Sequence, residues 1–316
     1  MAKKEFLDIV GEKKFLLIFG TLLIVVLVST FQGGLNYSSS QSSAGTIPRQ
    51  GEQQGVPGEF RVIGSAQSLS TALSSMVTNF SLVGGVLAIA ISFDTINMER
   101  QRGSLQTLLS YPIYRDTIIY GKYLGGLLAV MMVSVITFLA GVGVFVSVTG
   151  LSMTMDTAMR LFLFFGVSLI YMAIFLAVGL LLSIVLPEPS TSLLASMIVW
   201  LASIQLIPNI GYAIGQILFP MRLSFSGGTP SFSMPTGFQA IRAVISGLSP
   251  STTYENIVNT ILTASTMQFQ SGSVTVVSID LGQALLQSLP SLIYFVGLLV
   301  AVFAAAYVVF TRQEIR

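Results

Sequence analysis

The sequence predicts an all-α polytopic membrane protein with six transmembrane helices. Its 316 residues are 53% hydrophobic and 9% charged, with a mean hydropathy of +0.82. Soluble globular proteins carry roughly 25% charged residues, so this chain cannot cover itself with a water-facing surface. Six apolar runs are each close to or above the ~17–25 helical residues that cross a bilayer. Between the second and third of them sits a short polar island, Asn97 to Lys122. The missing residue types narrow the function further. Without Cys there is no disulfide framework, zinc–thiolate site or iron–sulfur cluster. Without His the usual general base and the usual metal ligand are both absent. A net charge of +2 is too small to argue for nucleic acid.

Taken in order, residues 2–14 (AKKEFLDIVGEKK) are amphipathic, with Phe6, Ile9 and Val10 on one helical face. This pattern predicts an N-terminal helix lying in the membrane interface. The first span is expected over 15–31 and, lacking a small-residue cleavage site after it, is expected to be retained. Residues 32–72 are rich in Gly, Ser and Gln and read as an outer loop. Asn36-Tyr37-Ser38 within it is a glycosylation sequon, making Asn36 a candidate acceptor. The second span is expected over 73–96, the third over 118–148 and the fourth over 157–186. Pro187-Glu188-Pro189 then turns the chain, because proline disfavours helix at the residue before it. The fifth span is expected over 191–207. The sixth covers 284–310, with Pro290 near its outer end. Residues 209–282 read as a partly helical outer segment. Within it Gly211–Phe219 is too short to cross and is expected to be re-entrant or interfacial. Ser249-Pro250 and the Thr252–Glu255 capping box open a predicted outer helix over 251–267. No repeat or separable soluble domain is visible, so residues 1–316 form one transmembrane domain.

Six spans put both termini on one side. With the termini in the cytoplasm, ten basic residues lie inside (Lys3, Lys4, Lys13, Lys14, Arg100, Arg102, Arg115, Lys122, Arg312, Arg316) against five outside. That distribution satisfies the positive-inside rule and places the 97–117 segment in the cytoplasm of a multi-pass plasma-membrane protein.

The default reading of such a segment is a solvated loop. Three details ask for more. Glu99 sits where a negative charge favours a helix dipole. Leu105, Leu108 and Leu109 form an apolar strip, with Met98 and Ile113 in reach. Pro112 stops the helix sharply. A short amphipathic helix flanked by charge suits a groove on a partner protein.

The run Glu99-Arg100-Gln101-Arg102-Gly103-Ser104-Leu105, then Leu108-Leu109-Ser110-Tyr111-Pro112-Ile113, Arg115 and Gly121-Lys122, resembles the signature of the ABC type-2 permease family. Ser104 stands for the family's usual Thr, and Tyr111 precedes the Pro. The Lys-Glu-Phe-Leu stretch at the N-terminus, Gly179–Ser183 and Leu248-Ser249-Pro250 are also similar. Family members often carry basic residues in the fourth-to-fifth turn, where this chain has Glu188. The resemblance covers nearly the whole chain. It implies the permease subunit of an ABC transporter, with 97–117 as a cytoplasmic coupling helix docked on a separate ATP-binding subunit. Leu105, Leu108 and Leu109 would fill the groove, and Glu99, Arg100 and Arg102 would pair with its rim. Gly103 would permit close approach. A second permease copy, identical or related, would complete the transporter within the membrane lipid. The chain has no G-x-x-x-x-G-K-[ST] loop, so ATP and Mg are expected on the partner and no cofactor on this chain. Most of the family exports.

Ionisable groups inside the membrane are functional candidates by default. Asp94, near the inner boundary, is expected to pair with Arg100 or Lys122. Lys122 and Arg160 are expected to snorkel at span ends. Asn79 and Gln205 read as helix–helix glue. Gly84-Gly85 and Gly125-Gly126 read as packing sites. A wall with so little charge suits apolar or amphipathic cargo. Two other functions compete with the exporter. One is an ABC-type membrane subunit that passes ATP-driven motion to an outer partner without moving cargo. The other is an intramembrane enzyme, which the absence of His and a single near-membrane Asp disfavour.

Overall fold

The computed structural model describes residues 2–44, 69–101, 103, 115–150, 153–220, 222–226, 229–233, 235–263, 265–270 and 273–312. Six of its helical segments are long and apolar enough to cross a membrane: Phe15–Ser38, Leu73–Gln101, Asp116–Thr149, Met155–Val185, Pro189–Leu218 and Leu281–Arg312. The expected all-α polytopic class therefore holds. In hydrocarbon every backbone polar group needs an internal partner, which a helix supplies. Hydroxyls within the spans follow the same rule by donating to carbonyls one turn back. Thr30 donates to Val26, Ser92 to Ala88, Ser168 to Phe164 and Ser196 to Ser192. The side bearing the N-terminal helix (Ala2–Gly11) is called inner below, and the opposite side outer.

The fourth span is the hub. Of its most apolar window 67% is buried, against 11% for the fifth and sixth spans. It packs against the second, third, fifth and sixth spans. Phe164 of the hub meets Phe80 and Phe138 edge-on, with ring centres 5.9 Å and 5.4 Å apart. Such geometry suits the aromatic quadrupole. The expected packing glycines are at such contacts, with Gly84 against Met172 and Gly85 against Trp200.

Several boundaries differ from expectation. The first helix continues from Lys13 to Ala44 rather than ending near 31. Gly34 lies against Val148 of the third span, so tertiary packing overrides the weak helix propensity of the Gly/Ser run. Asn36 consequently lies on this helix rather than in a loop. The fifth span reaches Leu218 through a π-helical turn, Ala202–Leu206. Pro208 follows that turn and has no amide hydrogen for the carbonyl one turn earlier, a recognised cause of local widening. Gly211–Phe219, expected to be re-entrant or interfacial, thus largely belongs to the fifth span. A second π-helical turn, Phe80–Gly84, interrupts the second span.

The outer segment contains two antiparallel hairpins that hydropathy did not announce. They are β1 (Arg222–Ser226) with β2 (Thr229–Ser233), and β3 (Ser265–Gln270) with β4 (Ser273–Ser278). Between them lie two helices. A descending helix, Thr236–Ser246, runs antiparallel to the end of the fifth span, with Ile245 on Gly211 and Phe238 on Gly215. An ascending helix, Pro250–Leu262, returns along the fourth span. Their tip reaches residues at the middle of the second, fourth and fifth spans. The predicted outer helix is therefore re-entrant, and the re-entrant element is 236–262.

Candidate functional site

Two sites emerge, one at the inner face and one at mid-membrane depth. At the inner face the N-terminal helix lies on the third span at Gly125. A Cβ there would sit 2.6 Å from the Glu5 Cβ and 3.2 Å from the Ala2 carbonyl oxygen, so only glycine allows this approach. One turn away, Lys122 is buried. Its Nζ donates to Glu99 at 2.8 Å and to Glu5 at 3.3 Å. The expectation that Lys122 snorkels is corrected. A buried ammonium needs partners, and two carboxylates supply them. Glu5, Asp8, Glu12, Asp94 and Glu99 line one cleft around Lys122.

The second span leads through a turn at 93–96 into a short helix, Asn97–Gln101. The fourth span holds that turn. The amides of Ile96 and Asn97 donate to Ser183 Oγ at 3.0 Å and 3.3 Å, and Arg100 Nη2 reaches the Ile184 carbonyl at 3.4 Å. Gly103 follows with φ of 70°, its amide donating to the Arg100 carbonyl at 3.2 Å. A left-handed glycine is the ordinary way out of a helix. Of the residues expected to contact an ATPase, Glu99, Arg100 and Gly103 are thus located. Arg102, Leu105, Leu108, Leu109 and Pro112 lie outside the described residues.

The mid-depth site surrounds the re-entrant tip. Tyr171 of the fourth span donates to the Ser81 carbonyl at 2.7 Å and lies 3.1 Å from Ser251 Oγ. Ser203 of the fifth span lies 2.8 Å from Ser251 Oγ and accepts the Ser251 amide at 3.1 Å. Ser249 caps the ascending helix by accepting the Thr252 amide, and it donates to the Ser203 carbonyl. Tyr254 meets Ser168 at 2.9 Å, and Tyr294 of the sixth span donates to the Leu248 carbonyl at 2.9 Å. Both π-helical turns contribute, through Ser81 and Ser203. Single π-turns recur at functional sites. Beside this cluster is Glu255, partly buried on the ascending helix. Its carboxylate lies beside the Ser81 side chain of the second span. Sequence reasoning missed Glu255 because it placed the helix outside the membrane.

Arg160 closes the outer end. It is buried rather than snorkelling, correcting the second such expectation. Its Nη1 donates to the carbonyls of Ile261 at 2.6 Å and Thr263 at 3.2 Å, and its Nη2 to Ile279 at 2.8 Å. Its Nε pairs with Asp156 at 2.7 Å. One guanidinium thus ties the fourth span to the C-terminus of the ascending helix and to the entrance of the sixth span. A cation there also suits the helix dipole. Among the described residues no group of three His, Cys, Asp or Glu gathers to hold a metal.

A bundle of six apolar helices around one hub defines a multi-pass membrane protein. The chain belongs to the ABC-2 family of transporter proteins, whose family model it matches over residues 1–315. No curated protein matches it. Membership implies an ATP-binding subunit as partner.

Proposed function

We propose that this chain is the membrane-spanning subunit of an ABC exporter, worked by a separate ATPase through the 97–117 segment. It sits in the plasma membrane with both termini in the cytoplasm, beside a second permease copy. The observation that carries the reading is the double ion pair of Lys122. It joins the start of the segment, at Glu99, to the N-terminal helix and the third span. Motion applied to the segment would therefore be delivered to the bundle at a rigid point rather than absorbed by a loop. ATP would draw two ATPases together, and each segment would move with its groove. The bundles would then switch between packings. Transport is favoured over transmission to an outer partner because residues 236–262 lie within the bundle rather than project from it.

The test substitutes Leu105→Asp and, separately, Glu99→Ala in the permease–ATPase complex. Each should abolish coupled ATPase activity while insertion and assembly persist. Unchanged activity in both would mean that the segment is only a connection between spans.

A further inference from the structure

The turn that opens the 97–117 segment is gripped from a distant part of the chain. The amides of Met98 and Arg100 donate locally, to the carbonyls of Asp94 and Ile96 at 3.0 Å each. Those of Ile96 and Asn97 are taken by one oxygen, Ser183 Oγ, 87 and 86 residues away in sequence. A hydroxyl oxygen has two lone pairs and can accept both. Ser183 is fully buried near the inner end of the fourth span, which closes at Val185. Arg100 returns the grip by donating to the Ile184 carbonyl at 3.4 Å. That carbonyl belongs to the last turn of the span, where carbonyls lack intrahelical partners. The start of the segment and the end of the hub thus satisfy each other's backbone groups. The joint is also tight and dry. One turn before Ser183, a Cβ at Gly179 would collide with Ser92 Oγ of the second span. Ile96 is buried with Leu180 and Ile184 in one apolar cluster. Away from water, an amide deprived of its acceptor costs more than the bond itself contributes.

We infer that Ser183 is the positioning residue that makes the start of the 97–117 segment and the fourth span move as one body. This deepens the coupling reading and rests on it. Lys122 fixes the segment to the third span and the N-terminal helix. Ser183 fixes it to the hub, which holds the re-entrant tip further along through Ser168 and Tyr171. Displacement of the segment is then delivered to the hub instead of being spent on bending the turn at 93–96. The role belongs to the oxygen as an acceptor and not to the bulk of the side chain.

The first arm is hydrogen exchange on the purified full-length chain, which needs no ATPase. Ser183→Cys keeps the side chain close in size but offers only a weak acceptor. It should speed exchange at Ile96 and Asn97 by about tenfold or more, the scale of one lost buried hydrogen bond. Ser183→Ala should do the same, while Ser183→Thr, which keeps the oxygen, should hold protection near the wild-type level. Thermal unfolding of each variant separates a loosened turn from a lost fold. The second arm uses the permease–ATPase complex. Ser183→Cys should lower the maximal coupled ATPase rate several-fold and leave the KM for ATP unchanged, and Ser183→Thr should restore the rate. Wild-type exchange in both Ser183→Cys and Ser183→Ala would overturn the inference, as would a wild-type rate in a variant whose turn exchanges faster. Leu105→Asp, run alongside, separates the two readings. If it is inactive while Ser183→Cys couples normally, this inference alone fails. If it couples normally, the coupling reading fails and Ser183 transmits nothing.

Discussion

Lys122 carries one positive charge against carboxylates from two distant parts of the chain, Glu5 and Glu99. Its side chain is 2% exposed, and theirs are 17% and 21%. Screening by water is therefore weak for the ammonium and only partial for the acids. Removing one member of a buried pair typically costs about 3–5 kcal/mol, because the remaining charge loses its partner. Lys122→Met should fall at the lower end of that range, since both glutamates retain some solvent. It should lower the thermal unfolding temperature of the purified chain. Adding Glu5→Gln and Glu99→Gln should recover most of the loss, because no uncompensated charge then remains. If the triple variant is as unstable as Lys122→Met, the site is held by packing rather than charge. The sequence makes Glu99 visible as the opening of a helix. It cannot show that Lys122 takes Glu99, because the choice depends on Gly125 admitting the N-terminal helix and bringing Glu5 alongside. The apolar strip of Leu105, Leu108 and Leu109 is equally plain in the sequence, and what it packs against is not written there.

At the scale of elements, hydropathy located all six spans because a bilayer demands length and apolarity together. It misread the re-entrant hairpin for the same reason. A helix of 13 residues with a polar stripe is too short and too wet to register as membrane-embedded, although its other face packs on the fourth span. What holds it there is the Ser203–Ser249–Ser251 contacts at the tip and Arg160 at the far end. Both are pairings across 46 to 119 residues of chain, so no local pattern announces them. Arg160 is the stronger test. Its planar fork serves three carbonyls and one carboxylate at once, which an ammonium cannot reproduce. Arg160→Lys should therefore cost about 2–3 kcal/mol, with charged hydrogen bonds lost and their carbonyls left buried. Hydrogen exchange should rise at 255–263 while the fourth span stays protected. Exchange rising evenly along the fourth span as well would mean that Arg160 supports the whole bundle and not this one helix.

At the scale of the whole molecule, orientation decides whether the acidic inner cleft or the side from which the re-entrant helices enter faces the cytosol. The positive-inside count stood at ten basic residues against five. The structure removes one from each side, since Lys122 and Arg160 are buried in pairs and present no free charge to a membrane surface. Nine against four still favours inner-side cytoplasmic placement. Two exposed positions at opposite ends of the fourth span convert this into an experiment. Met153 precedes the span on the side of the re-entrant helices, and Glu188 follows it on the side of the N-terminal helix. Because the chain has no native cysteine, Met153→Cys and Glu188→Cys each give a single thiol. In intact cells an impermeant maleimide should modify Met153→Cys promptly and Glu188→Cys only after permeabilisation. The reverse pattern would put the Glu99–Lys122–Glu5 junction outside the cell, where no ATPase could grip the segment beside it. Coupling through 97–117 would then fail.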